Sequence, residues 1–275
     1  MRGALAAGVL VVIGAVSAPA FAGDVAAAMS GKLLTLTGDD EANAVVITKG
    51  TTTDAYTLTP GPGTTVNGVA GALTYEGVRS ITISMGGGND RVDVGVVDLR
   101  GDLKIRLGDG DDAAFLTGTV VRGRTVVRGG AGADTVHLES GARFHGPVRV
   151  LGESGNDELQ FFGAEFRNRL RVEGGADDDH VLVQSVVCQE FSRFEFLGGR
   201  GHDFAELVLS QFGNDAFVDL GRDEDRLRVA ACRFTLDIEA FGGIGVDDVL
   251  SLEAGNVFLR LQTYDGFEEG EPAQP

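Results

Sequence analysis

Tryptophan is absent from this 275-residue chain, tyrosine occurs three times and cysteine twice. With only Tyr56, Tyr75 and Tyr264 to add to that absence, there are few exposed aromatic platforms for a sugar ring. Basic residues are few beside acidic ones, 23 Lys+Arg against 41 Asp+Glu, for a formal charge of −18. Such a chain meets nucleic-acid phosphates with repulsion, so nucleic acid is excluded as a partner. A P-loop, a dinucleotide fingerprint leading into a helix and a zinc-spaced Cys/His set are all missing. After the first 22 residues, no stretch is long and apolar enough to span a bilayer.

What is abundant is glycine, 42 of 275 residues, or about 15% against a usual ~7%. The hydrophobic fraction of 43% is too high for a disordered chain of this charge. Residues 1–22 read as a secretory signal peptide. Arg2 is its positive start, Ala4–Val16 its apolar stretch, and Ala20-Phe21-Ala22 its small–x–small cleavage pattern. Cleavage there starts the mature chain at Gly23 with a charge of −19, 22 basic against 41 acidic residues, not embedded in a membrane and destined for the cell exterior or envelope. The other reading of Ala4–Ala22 is an uncleaved anchor.

The rest of the chain repeats itself. Aligned on an aspartate, the units run MGGGND (85–90), LGDGDD (107–112), GGAGAD (129–134), GESGND (152–157), GGADDD (174–179), GGRGHD (198–203), LGRDED (220–225) and GGIGVD (242–247). The anchors are Asp90, Asp112, Asp134, Asp157, Asp179, Asp203, Asp225 and Asp247, at steps of 22, 22, 23, 22, 24, 22 and 22 residues. Apolar pairs at spacing two precede them (Ile81/Ile83, Leu103/Ile105, Val148/Val150) and follow them (Val92/Val94, Val136/Leu138, Leu159/Phe161), which predicts strand, glycine-rich turn, strand. In the last unit the trailing pair, Leu250/Leu252, fits better counted from Asp248. A third apolar column follows at Leu99, Val121, Phe144, Phe166, Phe212 and Phe234, trailed by Gly101, Gly123, Gly146, Asn168 and Asn214, residues that tolerate a left-handed corner.

Three short strands per unit, none able to bury its face alone, predict an all-β, three-sided parallel β-helix of about nine coils, right-handed by the usual crossover rule. Residues 23–80 form an N-terminal cap and first irregular coils, with Asn43 as an earlier anchor and an irregular coil or hairpin over 48–77. The repeat occupies 81–266, and 267–275 reads as a disordered acidic tail.

The Gly/Asp units resemble the hemolysin-type (RTX) calcium-binding repeat, G-G-x-G-x-D followed by an alternating apolar strand; GGAGADTVHL (129–138) and GGIGVD carry the closest likeness. The resemblance covers about 85–250. It implies calcium held between turns one coil apart by backbone carbonyls and the eight anchor aspartates, with Asp109, Asp111, Asp177 and Asp178 as helpers. The family places two loops on each turn of about 18 residues. Here each ~22-residue coil has one, so the likeness implies a single row of ions. Charge points the same way: carboxylates stacked ~4.8 Å apart repel by roughly 1 kcal/mol in water and ~3.5 kcal/mol at an effective dielectric of 20. The metal-free reading is that Asp and Asn satisfy loop N–H groups themselves.

Half of the mature basic residues lie between 100 and 171. Arg100, Arg122 and Arg167 share one register position, and Lys104, Arg149 and Arg171 another, which predicts a basic ladder on one face. It reads either as a docking face for an anionic polysaccharide or another surface protein, or as a solvated face neutralised by Glu165, Glu173, Glu195 and Asp215. Cys188 and Cys232 are two coils, ~9.6 Å, apart, beyond the ~7 Å reach of a disulfide, so two buried free thiols are expected. The function that follows is a secreted, non-enzymatic solenoid, calcium-stabilised along one edge, with a structural or adhesive role. The alternative is a polysaccharide lyase or hydrolase working on the arginine face.

Overall fold

The computed structural model describes residues 23–245, 247–260 and 262–269, so the signal-peptide reading of 1–22 lies outside the described residues. Each coil takes its shape from the alternation in its sequence. In Leu103–Asp109 the odd positions Leu103, Ile105 and Leu107 turn inward and are fully buried, while Lys104 and Arg106 face out. A Gly/Asp turn leads to Ala113–Thr117, a corner leads to the two-residue strand Val120–Val121, and a second corner returns the chain to Thr125–Ala131. That strand pairs in parallel with Leu103–Asp109, Leu103 beside Thr125 and Ile105 beside Val127.

Repetition of this path gives a three-sided parallel β-solenoid of about eight turns, with two sheets of 12 strands and a third of eight among the described residues. The first sheet carries the strands before each Gly/Asp turn, the second those after it, and the third the short strands. Inside, like stacks on like. Phe144 lies on Phe166 with ring centroids 5.3 Å apart, Phe212 on Phe234 at 4.9 Å, and Phe234 on Phe258 at 5.3 Å. Cys188 fills the place between Phe166 and Phe212 in that column. Cys232 stands two residues before Phe234, in a different column, so the two thiols are free and buried.

The ends depart from the repeat. Leu33–Thr37 and Ala44–Lys49 already pair in parallel with the first regular coil, as the anchor role of Asn43 requires. Gly23–Ser30 then folds back antiparallel on Leu33–Thr37, and Tyr56–Pro60 on Ala44–Lys49, which makes a hairpin of 44–60. Tyr56, fully buried, covers the start of the third sheet and donates to the Asp98 carbonyl at 2.6 Å. At the other end the pairing runs further than the acidic composition suggested: Glu268–Glu269 adds a strand beside Val249–Leu250, and Phe267 packs against the core. Residues 270–275 are outside the described residues.

One corner assignment is corrected. Gly101, Gly123, Gly146, Asn168 and Asn214 are not left-handed. Glycine serves close approach there: a Cβ on Gly146 would come within 2.1 Å of the Gly123 carbonyl oxygen. Left-handed residues sit instead at the corner between the second and third sheets, at Val96, Gly118, Gly141, Gly163, Ser185, Leu209, Ala231 and Gly255, and positive φ also recurs within the Gly/Asp turns.

Candidate cation-binding edge and the arginine face

The Gly/Asp turns bring the anchor aspartates into one inward-facing column. Asp90, Asp112, Asp134, Asp157, Asp179, Asp203 and Asp225 are buried to 98% or more. The eighth place belongs to Asp248, also buried, whereas Asp247 is exposed with a φ of 70°. The sequence register therefore missed the last anchor by one residue. The apolar pair Leu250/Leu252 marked it, because the inward alternation of the following strand decides which residue enters the turn.

Each anchor joins two coils. Its Oδ1 accepts the backbone N–H of the preceding coil's anchor. The series runs from Asn43 N–H on Asp90 through Asp134 on Asp157 to Asp225 on Asp248, at 2.6–3.0 Å. A second, exposed row runs the other way. Asp111 N–H donates to Asn89 Oδ1, Ala133 N–H to Asp111, Asp178 N–H to Asn156 and His202 N–H to Asp178. Thus Asp111 and Asp178, implied as calcium helpers, each commit one oxygen to a turn N–H. Asp109 and Asp177 are exposed, and among the described residues no hydrogen bond or ion pair engages their carboxylates. The Asn89/Asn156 role was visible in the aligned units, one residue before the anchor, and went unread.

The other oxygen of every anchor has no donor. Oδ2 of Asp90, Asp112, Asp134, Asp157, Asp179, Asp203, Asp225 and Asp248 is buried without a hydrogen-bond partner. Acceptors crowd it further. A Cβ placed on Gly152 would stand 2.0 Å from Asp157 Oδ2 and 2.6 Å from the Gly174 carbonyl oxygen. Gly129 and Gly174 have the same surroundings one coil away on either side. A buried carboxylate oxygen and a carbonyl oxygen that face the same space with no donor between them call for a positive charge or a proton there. Burial accordingly pushes these carboxyls up, against the lowering effect of the backbone N–H. Asp157 reaches about 6, Asp90, Asp134 and Asp203 about 7, and Asp179 and Asp225 about 8. Asp112 is raised for the same reason.

The residues suit a hard cation in part. The available donors are carboxylate and carbonyl oxygens, the set calcium prefers over zinc. Among the described residues no three His, Cys, Asp or Glu side chains converge on one position, so backbone carbonyls would have to supply the remaining ligands.

The basic residues divide across a corner instead of lining one face. Arg100, Arg122 and Arg167 directly follow short strands of the third sheet and pair with Asp54, Asp98 and Glu165. Lys104, Arg149 and Arg171 stand on the first sheet, where Glu173 bridges Arg149 and Arg171 at 2.6 Å each. No family model, curated protein or solved structure matches the chain.

Proposed function

We propose that this chain is an exported, non-catalytic β-solenoid that takes calcium along its Gly/Asp edge and serves as a rigid structural or adhesive element at the cell exterior. The observation that carries this reading is the column of eight buried Oδ2 atoms without donors, seven on the anchors Asp90 to Asp225 and the last on Asp248. A divalent ion between coils would answer the acceptors that the turns leave unmatched, and its binding to the folded form alone would raise stability. Such ions in extracellular modules bind at ~10⁻⁴–10⁻³ M. Export rests on the pattern of residues 1–22. A non-catalytic role is supported by how regularly the carboxylates are used: the buried aspartates recur in a single turn position, and the one other buried carboxylate among the described residues, Glu195, is held by Arg169, Arg171 and Arg193.

The test is thermal unfolding of the exported chain in EDTA and through a calcium titration to ~10 mM, with magnesium as control. A calcium-specific rise in midpoint is the expected result. An unchanged midpoint in a protein that is folded in EDTA would reduce the edge to a hydrogen-bonded turn ladder.

A further inference from the structure

We propose that the outer face of the first sheet, from Lys104 to Arg193, is a docking groove for a linear acidic polysaccharide. The inference stands on the arginine geometry and is independent of calcium. Arg124, Arg128, Arg149, Arg169 and Arg171 line a depression of about 680 Å³, together with Val126 and Pro147. Arg128 also lines an adjoining hollow of about 420 Å³ that adds Arg106. With Lys104 and Arg193 the face carries eight cations against five carboxylates, Asp102, Asp109, Glu153, Glu173 and Glu195. This excess sits on a chain of net charge −18, so it marks one place where an anion is attracted and not repelled.

The carboxylates present hold the arginines in place without cancelling them. Glu173 bridges Arg149 and Arg171. Glu195 meets Arg169, Arg171 at 3.4 Å and Arg193 at 3.3 Å, and Glu153 meets Arg128. Three cations are unmatched among the described residues: Lys104, Arg106 and Arg124 form no ion pair there and are exposed.

The chemistry of the face selects the kind of polymer. Its strands are paired on both sides, Thr125–Ala131 between Leu103–Asp109 and Val148–Ser154, so no free edge can add an extended peptide by β-pairing. Its lining has no aromatic side chain and no deep apolar pocket to anchor a protein hot spot. What it offers is guanidinium groups paired on neighbouring coils at the ~4.8 Å spacing of stacked strands, Arg106 beside Arg128 and Arg149 beside Arg171, with Val126 and Leu151 interrupting the rows. Guanidinium is the group that matches a carboxylate or sulfate in geometry. A polymer with one anionic group per sugar meets successive coils with successive groups. Many weak exposed contacts then add through multivalency.

The experiment is binding of fluorescent polygalacturonate to the full chain in EDTA. Neutral dextran is the control, poly-glutamate of equal charge the competing class, and sedimentation reports self-association. Polygalacturonate should bind at low salt, weaken at about 0.3 M NaCl as screening shortens, and be preferred over poly-glutamate. The triple variant Lys104→Gln, Arg106→Gln, Arg124→Gln removes only cations without ion-pair partners. It should keep the wild-type melting point and bind about tenfold more weakly. Arg233→Gln, on the third sheet, should bind normally. Absence of polyuronate binding, equal loss from Arg233→Gln, equal affinity for poly-glutamate, or self-association blocked by the triple variant would each overturn the proposal.

Discussion

At the scale of single residues, the anchor aspartate carries two opposed demands. Oδ1 is needed, because without it a buried N–H of the neighbouring coil has no acceptor. Oδ2 is a liability, because its neighbours are acceptors too. The two can be separated at Asp157. Asp157→Ala leaves the Asp134 N–H unmatched and should cost about 1–3 kcal/mol in urea unfolding. Asp157→Asn keeps an acceptor for that N–H and turns an NH₂ toward the Gly174 carbonyl. In EDTA it should be at least as stable as the wild type, with a smaller calcium-induced rise in midpoint. Asn43, the first anchor, shows that an amide NH₂ finds acceptors in this turn: its Nδ2 donates to the Glu41 carbonyl at 2.6 Å and to Asp39 Oδ1 at 2.7 Å, while its Oδ1 is without a partner. If Asp157→Asn proved as damaging as Asp157→Ala, the unmatched oxygen would not be the liability described.

At the scale of the element, the coil is limited by its corners more than by its strands. The strands follow from alternation, but the corner between the second and third sheets needs one left-handed residue per turn. Gly118, Gly141, Gly163 and Gly255 supply it without strain, whereas Val96 sits there at φ 50° with a branched side chain, 69% exposed and gaining little from contact. Left-handed strain in such a residue costs about 1–3 kcal/mol, and glycine gives part of that back as unfolded-chain entropy. Val96→Gly should therefore stabilise the chain by about 1 kcal/mol in equilibrium unfolding. Destabilisation would mean that the Val96 side chain has a partner of its own. The corner before the first sheet obeys another rule, close packing of backbones, which is why glycine there shows ordinary φ and yet excludes a side chain.

Across the whole molecule, the buried column links stability to pH in an unusual direction. Unfolded aspartates ionise near pH 4, while burial holds protons on the folded ones to about 6 at Asp157 and about 8 at Asp179 and Asp225. Between those limits the folded chain binds more protons than the unfolded one, so stability falls as pH rises. The contribution is complete below about pH 4 and lost above about pH 8. In EDTA the melting point should be higher at pH 5 than at pH 8, and calcium should raise it more at pH 8, where protons no longer compete. A metal-free melting point that rises from pH 5 to pH 8 would show that the carboxylates are charged and compensated in the fold. The same molecule keeps its cations on the outside, where the face between Lys104 and Arg193 offsets the general acidity.

Much of this architecture was written in one dimension. The spacing of Asp90 to Asp225, the apolar pairs beside each anchor and the aromatic column from Phe144 to Phe234 determine a three-sided solenoid, because stacking identical coils is the only way such short amphipathic strands bury their faces. Tertiary structure decided what depends on the position of a neighbour one coil away. Whether Asp247 or Asp248 enters the turn depends on which lies in register with Asp225. Whether Gly146 is a hinge or a contact depends on the Gly123 carbonyl beneath it. The division of the basic ladder into two faces follows from a corner whose angle no spacing records. The two oxygens of each aspartate have one identity in sequence, and only the coils on either side give one a donor and leave the other without.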